Sequence, residues 1–262
     1  MNQEKVILEI NDVGLATLTL NRAELRNAFD DEMIQSLINY LAQIKSNPAV
    51  KILLLKAEGK HFSAGADLNW MARMAQNSSE QNFADAQQLA KLMSDLNHLP
   101  IPSVAVIQGA AYGGAVGLAA CCDMVFATAT TNFCLSEVKL GLIPAAISPY
   151  VIRAIGERQA RRYFISAEII PAHKAQALGL VHEVTEDTEQ MQHLSQLWLE
   201  NTLKNGPKAM QSAKKLALEV SLQPLDKHLS DDTAKRIADI RATDEAIEGL
   251  SAFLEKRKAH WS

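Results

Sequence analysis

Three places in the 262-residue sequence combine residue type and spacing in a way that can do chemistry. One is Glu137, an acid among apolar neighbours in Leu135-Ser136-Glu137-Val138. Such a setting disfavours the charged carboxylate, raises its pKa and suits it to carry a proton near neutral pH. The other two are small-residue turns: Gly59-Lys60-His61-Phe62-Ser63-Ala64-Gly65-Ala66-Asp67-Leu68 and Gly109-Ala110-Ala111-Tyr112-Gly113-Gly114. Each follows an apolar run that reads as a buried strand, and each opens a helix, with Asp67 placed to cap the first. The helix start after Gly113-Gly114 leaves unpaired N–H groups facing whatever sits above the strand end. Two converging backbone donors are what an enolate oxygen needs, at about 3–4 kcal/mol of transition-state stabilisation per donor.

The spacing excludes the commoner glycine-rich sites. A dinucleotide fingerprint ending on Gly114 and Gly117 has Tyr112 where its first glycine belongs, and no Gly-Lys-Ser/Thr follows for a phosphate loop. The three cysteines, Cys121, Cys122 and Cys134, form no CxxC pair and have no matching histidine cluster, which argues against a disulfide framework or a metal site and for reduced thiols in a cytoplasmic protein. A net charge of −4 argues against nucleic acid as a partner. The N-terminal MNQEKVILEI carries charges where a signal peptide needs an apolar run, and no stretch approaches the ~20 apolar residues of a membrane span. Hydrophobic content of 48% with 21% charged residues is that of a globular chain with a sizeable core.

The elements that must hold these residues follow from periodicity. Val6–Ile10 and Ala16–Leu20 read as a hairpin around Asn11-Asp12-Val13-Gly14. Met33, Leu37, Leu41 and Ile44 recur at helical spacing in 30–46, and Ile52–Leu55 and Val104–Ile107 read as buried strands. The alternation of strand, loop and helix predicts an α/β fold with parallel strands and helices packed outside. Beyond it, 188–203, 208–220, 225–242 and 244–258 show helical spacing, interrupted by Gly206-Pro207 and Gln223-Pro224. His61 and Trp70 read as loop and packing residues, and Asp123 as a structural acid.

Leu20-Asn21-Arg22, His61 to Leu68, Gly109 to Gly114, Cys122-Asp123, Ser136-Glu137, Gly141-Leu142-Ile143-Pro144 and Ala252 to Lys258 occur in an order that resembles the enoyl-CoA hydratase/isomerase (crotonase) superfamily. Within it, Ser136–Pro144 and Tyr150–Glu168 look most like the bacterial methylglutaconyl-CoA and isohexenylglutaconyl-CoA hydratase branch. The resemblance implies a crotonase-like spiral of ββα units over 1–200, with 201–262 a helical region for trimerisation and site capping. It implies an acyl-CoA substrate, a homotrimer or dimer of trimers, and neither metal nor separate cofactor, coenzyme A being part of the substrate.

Carried over by position, the N–H groups of Ala66 and Gly114 form the oxyanion hole and Glu137 is the catalytic acid–base. Ala64, Asp67 and Leu68 line the loop around the CoA arm, while Arg26 and Lys256 match basic positions near CoA phosphates. Lys256 reads equally as one more solvated charge in 255–258. In family hydratases a second glutamate follows the glycine pair; here that position is Gly117. Gly117 reads either as close helix packing or as room for a branched acyl chain. One carboxyl suffices for double-bond migration, and it serves hydration if something else fixes the water. On the branch resemblance, hydration of a branched or dicarboxylic enoyl-CoA stands first, Δ3,Δ2-isomerisation close behind, and a CoA-binding subunit without turnover third.

Overall fold

The computed structural model describes residues 4–261. They fall into two compact units, the larger holding the residues up to Leu99 and Ser103–Ser195, the smaller Pro100–Pro102 and the residues from Gln196 onward.

In the larger unit, β1 (Val6–Ile10) and β2 (Leu15–Leu20) form an antiparallel hairpin. Gly14, at φ 90°, takes the left-handed turn position. After α1 (Asp31–Ser46), strand β3 (Ile52–Ala57) lies parallel to β2. Then come α2 (Leu68–Met74), α3 (Ser79–Asn97), β4 (Ser103–Ile107), β5 (Ala110–Tyr112) and α4 (Gly114–Cys121). They are followed by β6 (Met124–Thr128), β7 (Asn132–Cys134), α5 (Ser148–Ile155) and α6 (Glu157–Ser166). The short β8 (Ile170–Pro171), α7 (Ala172–Leu178) and β9 (Glu183–Thr185) complete the sheets, and α8 (Thr188–Thr202) follows.

Six strands make one sheet in the order β1-β2-β3-β4-β6-β9, parallel from β2 onward. A second sheet, β5-β7-β8, carries the short strands. The chain therefore repeats a step: a strand of the large sheet, a short extended segment in the second layer, then a helix. β4-β5-α4 is one such step. β6-β7 leads through a tight 3-10 turn at Glu137–Leu140 into α5, and β3 leads through Ser63, which bridges Ala111 of β5, into α2.

The near-continuous apolar runs of β3 and β4 are buried, as parallel strands covered on both faces require. α1 lays Met33, Ile34, Leu37, Ile38, Leu41 and Ile44 into the core, and Asp30 caps it by accepting from the Met33 N–H at 2.8 Å. Buried α4 is built of small and apolar residues on every side. The three cysteines are buried thiols, none in a disulfide.

The smaller unit adds α9 (Pro207–Val220), α10 (Lys227–Arg241) and α11 (Asp244–Leu254). The last helix stops short of the expected Lys258. Lys256 adopts φ 55° and the Arg257 N–H reaches back to the Ala252 carbonyl at 3.0 Å, closing a Schellman turn. The Arg257 guanidinium clamps Glu248 at 2.6 and 2.8 Å and holds that carboxyl at about 2. Among the described residues no helix is long and apolar enough to cross a membrane.

Candidate active site

The loop after β3 is fixed before any ligand arrives. Asn27, fully buried, donates to the carbonyls of Glu58 and His61, both at 2.9 Å, and accepts from the Arg22 N–H at 2.8 Å. Arg22 in turn pairs with Asp30 at 2.8 Å and Asp67 at 3.1 Å, the caps of α1 and α2. Further along, the Phe29 N–H donates to the Gly65 carbonyl and the Asp67 N–H to the Phe29 carbonyl, both at 2.8 Å. The Gly65 carbonyl and the Ala66 N–H belong to one trans peptide and point opposite ways, so the bond to Phe29 turns the Ala66 N–H away from it. Among the described residues the Ala66 N–H donates to no protein acceptor, and neither does the Gly114 N–H at the first position of α4.

Both donors belong to one register. Ser63 bridges Ala111 in parallel, with the Ser63 N–H on the Ala110 carbonyl and the Tyr112 N–H on the Ser63 carbonyl, each at 3.0 Å. Ala111 pairs in parallel with Phe133 of β7. Three residues beyond this row stand Ala66, Gly114 and Ser136, with Glu137 next. The sharp exit from β5 is made by Gly113, whose φ of 55° with ψ of −121° is open to glycine and hardly to any other residue. Its N–H donates to the Cys134 carbonyl at 2.9 Å, and a Cβ there would lie 3.3 Å from Glu137 Oε1.

Ala66, Gly114 and Glu137 line one cleft of about 820 Å³, within the range of small-molecule sites. Its walls come from the 64–68 loop, α2, α3 and the 140–147 segment. Leu68, Leu140, Leu142 and Ile143 leave an exposed apolar rim. Burial raises the Glu137 pKa, and its Oε2 is buried without a hydrogen-bond partner among the described residues. A proton carrier, two unpaired donors and an apolar enclosure suit the formation of an enolate and the movement of a proton beside it.

The chain matches the enoyl-CoA hydratase/isomerase family over residues 11–262. It belongs to that family. The enzyme is similar throughout to an enoyl-CoA hydratase structure from Shewanella pealeana, at 45% identity and a TM-score of 0.95, covering 99% of this chain and 97% of that one. It is 30% identical to the crotonyl-CoA hydratase of Syntrophomonas wolfei over 100% of this chain and 99% of that protein. Against the mitochondrial methylglutaconyl-CoA hydratase of Mus musculus it is 32% identical over 95% of this chain and 80% of that protein. Relatives of different substrate are thus about equally distant, and the methylglutaconyl branch is not singled out. The fold is the crotonase α/β fold, and the chain is an enzyme of hydratase or isomerase type.

Of the residues picked out in the sequence, Ala64, Ala66, Leu68, Gly114 and Glu137 meet in the cleft, whereas Asp67, Arg26 and Gly117 are not among its lining. The Asp67 carboxyl caps α2 through the N–H groups of Asn69 and Trp70, at 2.8 and 3.1 Å, besides pairing with Arg22. Arg26 is exposed at φ 53°, close enough to act electrostatically, with Lys60, on His61; burial and these two cations lower the His61 pKa. The His61 ring accepts from the Ala110 N–H at 3.1 Å, a loop-holding role. Asp123 accepts from the N–H and hydroxyl of Ser103, at 2.8 and 3.0 Å, which is structural. Lys256 is exposed in the smaller unit, at the Schellman turn.

Gly117 is a correction. It is not space for an acyl chain: a Cβ there would run into Ile147, whose own Cβ would be 2.8 Å away, and would lie 2.9 Å from Met93 Sδ. Ile147, not Gly117, faces the cleft. The sequence reading also missed the α3 wall, where Asn82, Asp85, Ala86 and Leu89 line the cleft. Its signal was the capping box Ser78-x-x-Gln81, realised at both hydrogen bonds. The Asp85 carboxyl has its pKa raised by burial, opposed by the hydrogen bond from the Trp70 indole.

Proposed function

We propose that the enzyme hydrates a 2-enoyl-CoA with one carboxyl group, Glu137. The observation that supports this reading is the unpartnered, buried Glu137 oxygen beside two unpaired backbone N–H donors. The thioester oxygen accepts from Ala66 and Gly114. Glu137 takes a proton from water as its oxygen bonds to C3, electrons move onto the thioester oxygen, and Glu137 returns the proton to C2. The related crotonyl-CoA hydratase supports this order of preference.

One observation favours a second reaction in the same site. With Gly117 sealed under Ile147 and Met93, no carboxyl can stand at that position to hold the water. For a 3-enoyl-CoA, Glu137 moves a proton from C2 to C4 through the same enolate, which is isomerisation. The purified protein, given crotonyl-CoA and a 3-enoyl-CoA, separates the two: hydration consumes the first, migration converts the second to a 2-enoyl-CoA. Inertness toward both refutes the reading. The neighbouring cations Arg26 and Lys60 suit CoA phosphates. The exposed Leu222, Leu225, Phe253 and Leu254 suit a homotrimer or dimer of trimers, checked by light scattering.

A further inference from the structure

The α3 wall of the cleft changes character along its length. Asn82, Asp85, Ala86 and Leu89 recur at spacings of three and four, which puts them on one face. Leu89 marks the reacting end, its Cδ1 lying 3.8 Å from the position a Cβ would take on Gly114. At 1.5 Å of rise per residue, Asp85 stands about 6 Å and Asn82 about 10 Å farther along the helix axis. The wall thus runs from an apolar side chain at the donors to a carboxylate and an amide beyond them. Asp85 lies beside the buried Trp70, whose indole favours the charged form of the carboxyl. The nearby cation, Arg73, is already paired with Asp31 at 2.7 Å and does not line the cleft. Among the described residues no lysine, arginine or histidine lines it; the charged side chains there are Asp85 and Glu137.

The geometry points to Asp85 as the residue that selects the acyl chain: it turns away chains ending in a carboxylate and admits neutral ones, straight or branched. This rests on the enoyl-CoA reading above and narrows its substrate class, removing the dicarboxylic option. A terminal carboxylate entering this wall meets a like charge, with no cation lining the cleft to pair with it, in a partly screened site. A neutral chain passing Asp85 meets no such repulsion.

The test uses two thioesters of equal length, a neutral six-carbon 2-enoyl-CoA and its counterpart with a terminal carboxylate. Turnover (kcat and KM separately) and calorimetric binding are measured on the parent, Asp85→Asn and Asn82→Asp. The parent should prefer the neutral thioester by about tenfold or more, the size expected of one like-charge contact in a partly screened site. Asp85→Asn should shrink that preference about tenfold, chiefly through KM for the charged substrate, and Asn82→Asp should enlarge it. An unchanged ratio in both variants overturns the proposal. So does equal weakening of both thioesters, the mark of a residue that only supports Trp70 or meets the CoA arm. A parent that turns over neither thioester yet binds the neutral one more tightly sinks the enoyl-CoA reaction and leaves the selection standing. A parent that is both inert and unselective sinks both.

Discussion

Gly117→Glu places the second family glutamate where the sequence alignment of motifs wants it, and the structure says that the site will reject it. In mid-helix, replacing glycine by alanine ordinarily gains about 1 kcal/mol. Here the new Cβ meets Ile147, β-branched and stiff, and Met93. Overpacking a well-filled interior costs about 1–3 kcal/mol, so Gly117→Ala should come out between neutral and about 2 kcal/mol less stable. Glutamate adds a carboxyl with no partner, about 1–3 kcal/mol more, for a total loss of roughly 1–5 kcal/mol. Urea unfolding of the three proteins reads these differences as midpoint shifts at constant slope. Ile147→Ala on its own should cost about 2–4 kcal/mol, and combined with Gly117→Glu it should lose less than the sum, with a coupling of about 1–2 kcal/mol. Hydration of crotonyl-CoA should not rise in Gly117→Glu. A Gly117→Glu protein as stable as the parent, with faster hydration, would refute the packing argument and put position 117 in the cleft.

Other substitutions probe the remaining parts. Glu137→Gln should lower the rate by about 10²–10⁴ while the thioester still binds, measured by steady-state kinetics and calorimetry. Because the folded protein holds the Glu137 proton more tightly than the unfolded chain, the ionised group costs stability as pH rises from the ordinary carboxylate range through the raised value. Glu137→Gln should accordingly be more stable than the parent above that window and equal to it below, in melts across pH. Gly113→Ala forces a positive φ on an L-residue and crowds Glu137 Oε1, so it should lose about 1–2 kcal/mol of stability and more kcat than KM. Gly114→Pro removes a donor at the first helical position, where proline is tolerated, and should cost about 10²–10³ in kcat in a protein with a normal far-ultraviolet spectrum.

Residues that do their work through local chemistry were legible in the sequence. The runs at β3 and β4, the α1 stripe from Met33 to Ile44 and the Asp67 cap follow from burial and capping rules that need no knowledge of the rest of the chain. Glu137 stood out because an acid between Leu135 and Val138 has no ordinary surface explanation. What escaped depends on distant partners. β5, β7 and β8 are two or three residues long and exist because other segments complete their hydrogen bonds. The first half of α3 has few apolar residues to show a period, since its face lines a cleft rather than a core. The sequence left Gly117 open between close packing and space for an acyl chain, because it does not show that Ile147, thirty positions later, packs against it.

The row through Ser63, Ala111 and Phe133 also governs which changes of length the enzyme can absorb. One residue added between Ser63 and Ala66, or between Ala111 and Gly114, would carry a donor out of line with this row, because the left-handed turns at Gly65 and Gly113 that aim the donors stand at fixed distances from it. No side-chain substitution could restore it. The turn at 75–78, which joins α2 to α3, lies outside that row and can lengthen or shorten while the donors and Glu137 keep their spacing. Length changes in that one connection therefore shift the α3 wall of the cleft while Ala66, Gly114 and Glu137 keep an unchanged frame.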